Sequence, residues 1–82
     1  FRNYPNPFNA TTTISYELRA PVHCRLEILN VLGEEVACLV EGVQTAGLHR
    51  VRWNAGEQPS GVYFYRLSAG AATRIGKMLL LR

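Results

Sequence analysis

The sequence contains no aspartate at all, and it has only two histidines, two cysteines and six glutamates. A hydrolytic site needs a nucleophile with a base, or paired carboxylates, and a metal centre needs several converging ligands. Here either would have to be assembled from His23, His49 and scattered glutamates that the strands read below hold apart. The chain therefore reads as non-enzymatic, with no metal, no cofactor and no small-molecule substrate. No apolar run approaches the length of about 18 residues that marks a membrane-crossing helix. There is no signal peptide and no initiating methionine, so the chain is expected to be a fragment cut from the end of a longer protein.

Cysteine is equally sparse. Cys24 and Cys38 are too few for a disulfide framework, and they lack the CxxC spacing that holds zinc. A hairpin turning at Leu32-Gly33 in simple two-residue register would set Cys24 opposite Glu41 and Cys38 opposite Glu27, so the sulfurs would not face each other. A bulge or a longer loop would shift that register, which leaves a bridge open.

What is present is ordinary globular material. The 82 residues are 48% hydrophobic and 18% charged, a mix that folds rather than one that stays disordered. A chain of this size supports one domain and buries only somewhat more than ~60% of its unfolded surface, which implies thin apolar layers between two sheets. The net charge of +3 comes from nine Lys and Arg against six Glu, with the cations spread along the sequence. That spread describes a solvated basic surface and argues against nucleic acid, which needs a gathered patch with stacking aromatics.

Residues 12–18 alternate, with Ile14, Tyr16 and Leu18 on one side, the period of a half-buried strand. Pro21 ends that run. Residues 23–31 place Cys24, Leu26 and Ile28 on one face against Arg25 and Glu27 on the other. Asn30-Val31-Leu32-Gly33 reads as a turn, residues 35–40 as a third strand, and Gly42 and Gly47 as the ends of a loop. Residues 48–53 put His49, Val51 and Trp53 on the core side. The stretch 54–61 is turn chemistry, with Pro59 pre-setting φ and Gly61 permitting a positive one. Aromatic-rich residues 62–67 and the apolar residues 73–81 complete six strands. Short strands at regular spacing without helical period predict an antiparallel, immunoglobulin-like β-sandwich of about six to seven strands filling residues 1–82.

The opening Asn3-Tyr4-Pro5-Asn6-Pro7-Phe8-Asn9 is the least strand-like segment. Pro5 and Pro7 fix φ and remove two donors, and Asn6 and Asn9 are suited to Asx turns, which makes a stiff entry that lets Phe8 plug one end of the sandwich. Asn3, Asn6 and Asn9 are neutral amides and would hold a hard cation weakly without a carboxylate, so turn capping is the better reading.

Those opening residues, then Thr11-Thr12-Thr13-Ile14, Asn30-Val31-Leu32-Gly33-Glu34-Glu35-Val36, residues 47–54, Pro59-Ser60-Gly61-Val62-Tyr63-Phe64-Tyr65-Arg66-Leu67 and Lys77-Met78-Leu79-Leu80 together resemble the C-terminal sorting domain (type A) of type IX secretion cargo. Each motif is short, and their order and spacing over nearly the whole chain carry the likeness. The related immunoglobulin-like domain of flagellar hook-capping proteins shares the turn and the aromatic strand. The resemblance implies a parent protein that crosses the inner membrane by a signal peptide and passes through the periplasm. An outer-membrane translocon then recognises the domain, a sortase-like protease removes it, and the parent reaches the cell surface or the medium, free or joined to a lipopolysaccharide anchor. On this likeness Gly61, Tyr63, Arg66, Lys77, Met78, Leu79 and Leu80 are the recognition candidates, and Pro5, Pro7, Gly33, Pro59 and Gly61 hold structural turns. Gly33 and Gly61 serve turns in any reading, and Tyr63 is suited to the core. Lys77 stands out as a charge in an apolar final strand, and residues 77–82 are the expected recognition segment, able to take up a partner strand or a second copy if the edge is open. Ala10 stands where the family often has proline, which suggests a looser entry segment.

Two other binding roles compete. A carbohydrate-binding or adhesive module would leave two or three of Tyr4, Tyr16, Trp53, Tyr63 and Tyr65 exposed on one flat face, whereas their spacing places Trp53, Tyr16 and two more inward. A structural hook-cap domain shares the fold and is separated from a sorting domain only by its parent sequence.

Overall fold

Alternation decides which side of each strand turns inward, and Thr12, Ile14, Tyr16 and Leu18 of residues 11–18 are buried in strict alternation. The computed structural model describes all 82 residues and contains strands β1 (Arg2–Tyr4), β2 (Thr11–Leu18), β3 (Val22–Leu29), β4 (Glu35–Gln44), β5 (Gly47–Asn54), β6 (Gly61–Ala69) and β7 (Ala72–Leu80), with no helix. They form two sheets, β1-β2-β5 and β4-β3-β6-β7, and every strand pairing is antiparallel. The fold is the immunoglobulin-like β-sandwich expected from the spacing of the strands.

Between the sheets, Ile14, Tyr16 and Trp53 face Leu26, Ile28, Tyr65, Met78 and Leu80 in one cluster. Each such side chain contributes about 1.5–3 kcal/mol when taken fully out of water. Phe8 is buried at 2% exposure and does plug the sandwich, its ring 5.8 Å from that of Trp53, which in turn meets Tyr63 edge-on at 5.7 Å. Tyr16, Trp53, Tyr63 and Tyr65 all point inward, while Tyr4 is 74% exposed. That leaves one exposed tyrosine where a sugar platform requires two or three aromatics on one face.

Four local expectations need correction. β1 is a strand of three residues, although its sequence shows no alternation of its own, because Arg2 to Tyr4 pair with Ser15 to Thr13. β4 continues through Gly42 to Gln44, so the loop before β5 is only Thr45-Ala46. Cys38 does lie opposite Glu27, but Cys24 faces Gly42, because β3 and β4 slip register between Leu26 and Glu27 and again between Ile28 and Leu29. Both cysteines are free thiols, Cys24 buried and Cys38 exposed. Register slips like those of β3 and β4 interrupt the ladder at an edge strand, a common guard against edge-to-edge pairing.

The fourth concerns Asn6, whose side chain closes no turn on the following backbone and instead brackets β7. Its Nδ2 donates to the Lys77 carbonyl at 3.2 Å and its Oδ1 accepts from the Leu79 N–H at 3.0 Å. Phe8 N–H donates to the Leu79 carbonyl at 3.0 Å, and Leu81 N–H donates to the Phe8 carbonyl at 2.9 Å. Thr12 Oγ1 donates to the Pro5 carbonyl at 2.8 Å. The entry segment is therefore pinned rather than loose. Ala10 within it has φ of 70°, a value that a proline ring, held near −65°, cannot take.

Candidate docking surface

The seven recognition candidates fall on two neighbouring strands, and the pleat divides them between two faces. In the β6–β7 register Gly61 lies opposite Leu80, Tyr63 opposite Met78, and Val62 opposite Leu79. Tyr63, Met78 and Leu80 point into the sandwich at 4%, 1% and 0% exposure. The Tyr63 hydroxyl donates to the Pro59 carbonyl at 2.7 Å and so braces the turn before β6. These three residues make the strands that present a surface. Leu79, Lys77 and Arg66 point outward, together with Val62 and Phe64, which sit opposite Leu79 and Lys77.

Beside this outward set lies the turn of residues 30–34. Asn30 Oδ1 accepts from the N–H groups of Leu32 and Glu34 at 2.9 and 3.0 Å, and Gly33 takes φ of 82°, a conformation that glycine adopts without strain. The turn holds Val31 and Leu32 in solvent at 67% and 79% exposure. A shallow hollow of about 250 Å³ opens between Val31-Leu32 and the Pro59-Ser60-Gly61-Val62 segment. A second, of about 200 Å³, shares Val62 and is bounded by Asn6, Lys77 and Leu79. Segments 6, 30–33, 59–63 and 77–79 are far apart in sequence and meet here on one mostly apolar surface. Ile75 extends it along β7 at 60% exposure.

Charge on the same face is nearly all committed. Glu27, buried at 7% exposure, accepts a hydrogen bond from Arg66 Nε at 3.1 Å, lies 3.0 Å from Arg66 Nη2 in the same ion pair, and pairs with Arg25 at 3.3 Å. Arg25 also binds Glu35 at 2.6 Å and Glu41, and His23 reaches Glu41 at 3.3 Å. Hydrogen bonding with Glu35, then with the Arg66 and Arg25 guanidinium groups, holds the Glu27 carboxyl below its ordinary value against the opposing effect of burial. The bonds to Glu41 and Glu35 push Arg25 further up. Arg66 is thus the clasp of an internal network, whereas Lys77 has no ion pair and rims the apolar surface as its free cation.

Sequence reasoning missed Val31, Leu32, Val62 and Phe64 as surface residues and Gly76 as a packing residue, whereas alternation along the last strand does set Ile75 beside Lys77 and Leu79 on the outer face. The first four left a signal, because each is an apolar residue at a position where the alternation or the turn calls for a polar one. Gly76 left none: a Cβ there would lie 2.1 Å from Cζ of Tyr65, so the ring rests directly on the β7 backbone.

No cluster of three or more His, Cys or Glu side chains able to hold a metal comes together on this surface or elsewhere in the chain. Residues 2–81 match the model of a family described as "Secretion system C-terminal sorting domain". No curated protein and no solved structure matches the chain.

Proposed function

The chain belongs to the family of C-terminal sorting domains of type IX secretion, whose role is to mark a protein for export to the cell surface or the medium, and we propose that it does so through the outward face of β6 and β7. On this reading the domain is a ligand rather than an enzyme. Leu79 and Val62 form the apolar centre of the docking surface, Val31 and Leu32 one flank, and Lys77 the charged rim. Tyr63, Met78, Leu80 and Gly61 act by holding that surface in shape, and Arg66 acts by tying it to β3 through Glu27. The observation that carries the proposal is the convergence of four distant motif segments on one exposed apolar surface, a feature that marks interaction sites on small soluble domains.

The partner is an outer-membrane translocon met from the periplasmic side, with a sortase-like protease acting afterwards. Docking is face-on along residues 77–81, since the outer edge of β7 there is taken up by Asn6 and Phe8. Strand addition there would have to displace the entry segment, and the β7 edge free of those bonds lies around Thr73 and Ile75.

The test fuses residues 1–82 behind a periplasmic fluorescent reporter in a bacterium with type IX secretion. Deleting residues 77–82 is a poor control because it strips Met78 and Leu80 from the core. The double substitution Lys77→Glu with Leu79→Ser changes only outward side chains. Loss of surface delivery by a variant that keeps its thermal melting transition is the expected result. Undiminished delivery of that variant would overturn the proposed surface, and retention of the unaltered fusion in the periplasm would overturn the translocon as partner.

A further inference from the structure

The outer face of the β1-β2-β5 sheet is the opposite of the docking surface in charge and in polarity. Along β2 the outward residues are Thr11, Thr13, Ser15 and Glu17. Flanking them, the register sets Arg2 and Arg50 on either side of Ser15, and Tyr4 and Arg52 on either side of Thr13. Strand spacing places the backbones of Arg2 and Arg50 about 10 Å apart, and Arg50 and Arg52 about 7 Å apart. All three arginines are exposed, and none takes part in an ion pair, since every ion pair of the molecule belongs to Arg25, Arg66 or His23. Arg19 and Arg74, the latter 5.3 Å over the Phe1 ring, continue the positive field past the β1 end. Glu17 is the single carboxylate of this face.

Arg2, Arg50 and Arg52, which look dispersed in the sequence, are therefore gathered by strand pairing and left without an ion-pair partner. A hollow of about 300 Å³ lies between Arg2 and Arg50, floored by Thr13 and Ser15 with Tyr4 at its rim. Two guanidinium groups over two hydroxyls suit a phosphate monoanion, because the planar fork donates two hydrogen bonds to adjacent oxygens. Tyr4 is the one apolar residue lining this hollow, which leaves little to receive the apolar anchors on which protein interfaces depend. The exposed apolar side chains of the face, Tyr4 at 74% and Leu48 at 55%, instead stand at separate corners of the sheet, as in proteins that lie on a lipid surface.

We propose that the outer face of β1-β2-β5 docks on an anionic phospholipid bilayer, with Arg2, Arg50 and Arg52 on headgroup phosphates and Tyr4 and Leu48 at the acyl boundary. The proposal takes from the sorting reading only that the domain works beside a membrane. It leaves the β6–β7 face turned away and free for its protein partner, because the two surfaces lie on opposite sheets.

Vesicle co-sedimentation of residues 1–82 provides the test, with phosphatidylglycerol mixed into phosphatidylcholine compared with phosphatidylcholine alone. Binding to the anionic vesicles only, weakening steeply with salt, is expected. Each arginine near such a surface contributes a factor of about five, so the triple variant Arg2→Ser, Arg50→Ser, Arg52→Ser should bind about a hundredfold more weakly. Glu17→Gln should bind more tightly than the parent. Equal binding to neutral vesicles, or indifference to the triple substitution, would overturn the proposal. So would binding to soluble poly-glutamate without binding to vesicles, which would assign the face to an acidic protein. Sorting of the reporter fusion is scored separately, so a domain that is secreted normally yet ignores anionic vesicles would refute the membrane face alone.

Discussion

The outer faces of the two sheets handle charge in opposite ways. On the four-stranded sheet Arg25 and Arg66 share Glu27, and Arg25 also holds Glu35 and Glu41, so that the neighbouring surface of Val62, Phe64 and Leu79 keeps Lys77 as its only unpaired cation. On the three-stranded sheet Arg2, Arg50 and Arg52 have no partner and the surface between them is hydroxyl-bearing. Satisfying charge internally frees a face for apolar contact, and leaving it unsatisfied prepares a face for an external anion. A domain with a net charge of only +3 can therefore carry two different surfaces, because the pairing pattern matters more than the total.

Three measurements test how far the two faces differ. The largest effect belongs to Gly76→Ala on β7. The added methyl meets the Tyr65 ring at 2.1 Å, and Tyr65 is itself buried, so the sheet must shift. A loss of about 3 kcal/mol, the upper end for overpacking, should appear as a lower urea midpoint. An unchanged midpoint would mean that the four-stranded side is less tightly built than described.

Next comes the paired substitution that the contrast itself demands. Glu27→Ala removes the acceptor shared by two guanidinium groups and should cost about 2 kcal/mol, since hydrogen bonds to charged groups are lost and polar groups are left unmatched. Arg50→Ala on the other face should stay within about 0.5 kcal/mol, having no partner to strand. Equal losses from the two would erase the distinction between the faces.

The smallest effect is a pH dependence. Glu27 is held below its ordinary carboxylate value of 4.5 in the folded chain. Its contribution is therefore fully present above that value and is lost as pH falls below it through the folded value. Denaturant titrations from neutral pH down to acid should show this decline in the parent and a shallower one in Glu27→Gln. A parallel decline in both would place the acid sensitivity elsewhere.

Much of the fold could be read from local pattern. Period-two alternation in residues 12–18, 48–53 and 62–67 located strands and their inward faces, because a pleated strand sends neighbours to opposite sides whatever it pairs with. The turn at Asn30 to Gly33 and the buried Phe8 were also readable, as was the order of motifs that carries the family. Other features depended on which strands meet. Arg2 to Tyr4 become a strand only because β2 offers an edge, and Cys24 faces Gly42 only because β3 and β4 slip.

For the candidate surface the division is sharper. Sequence alone named Lys77, Leu79 and Gly61, but it grouped with them Met78, Leu80 and Tyr63, which the sandwich buries, and Arg66, which Glu27 holds. Composition and spacing thus determined a small antiparallel sandwich with a turn-rich entry and an apolar last strand. Tertiary structure alone decided which cations are paired, that Asn6 and Phe8 clamp β7, and that four distant segments form one surface. The physical reason is range: alternation and turn chemistry act over a few residues, whereas register, ion pairing and edge capping are settled between segments up to 73 positions apart.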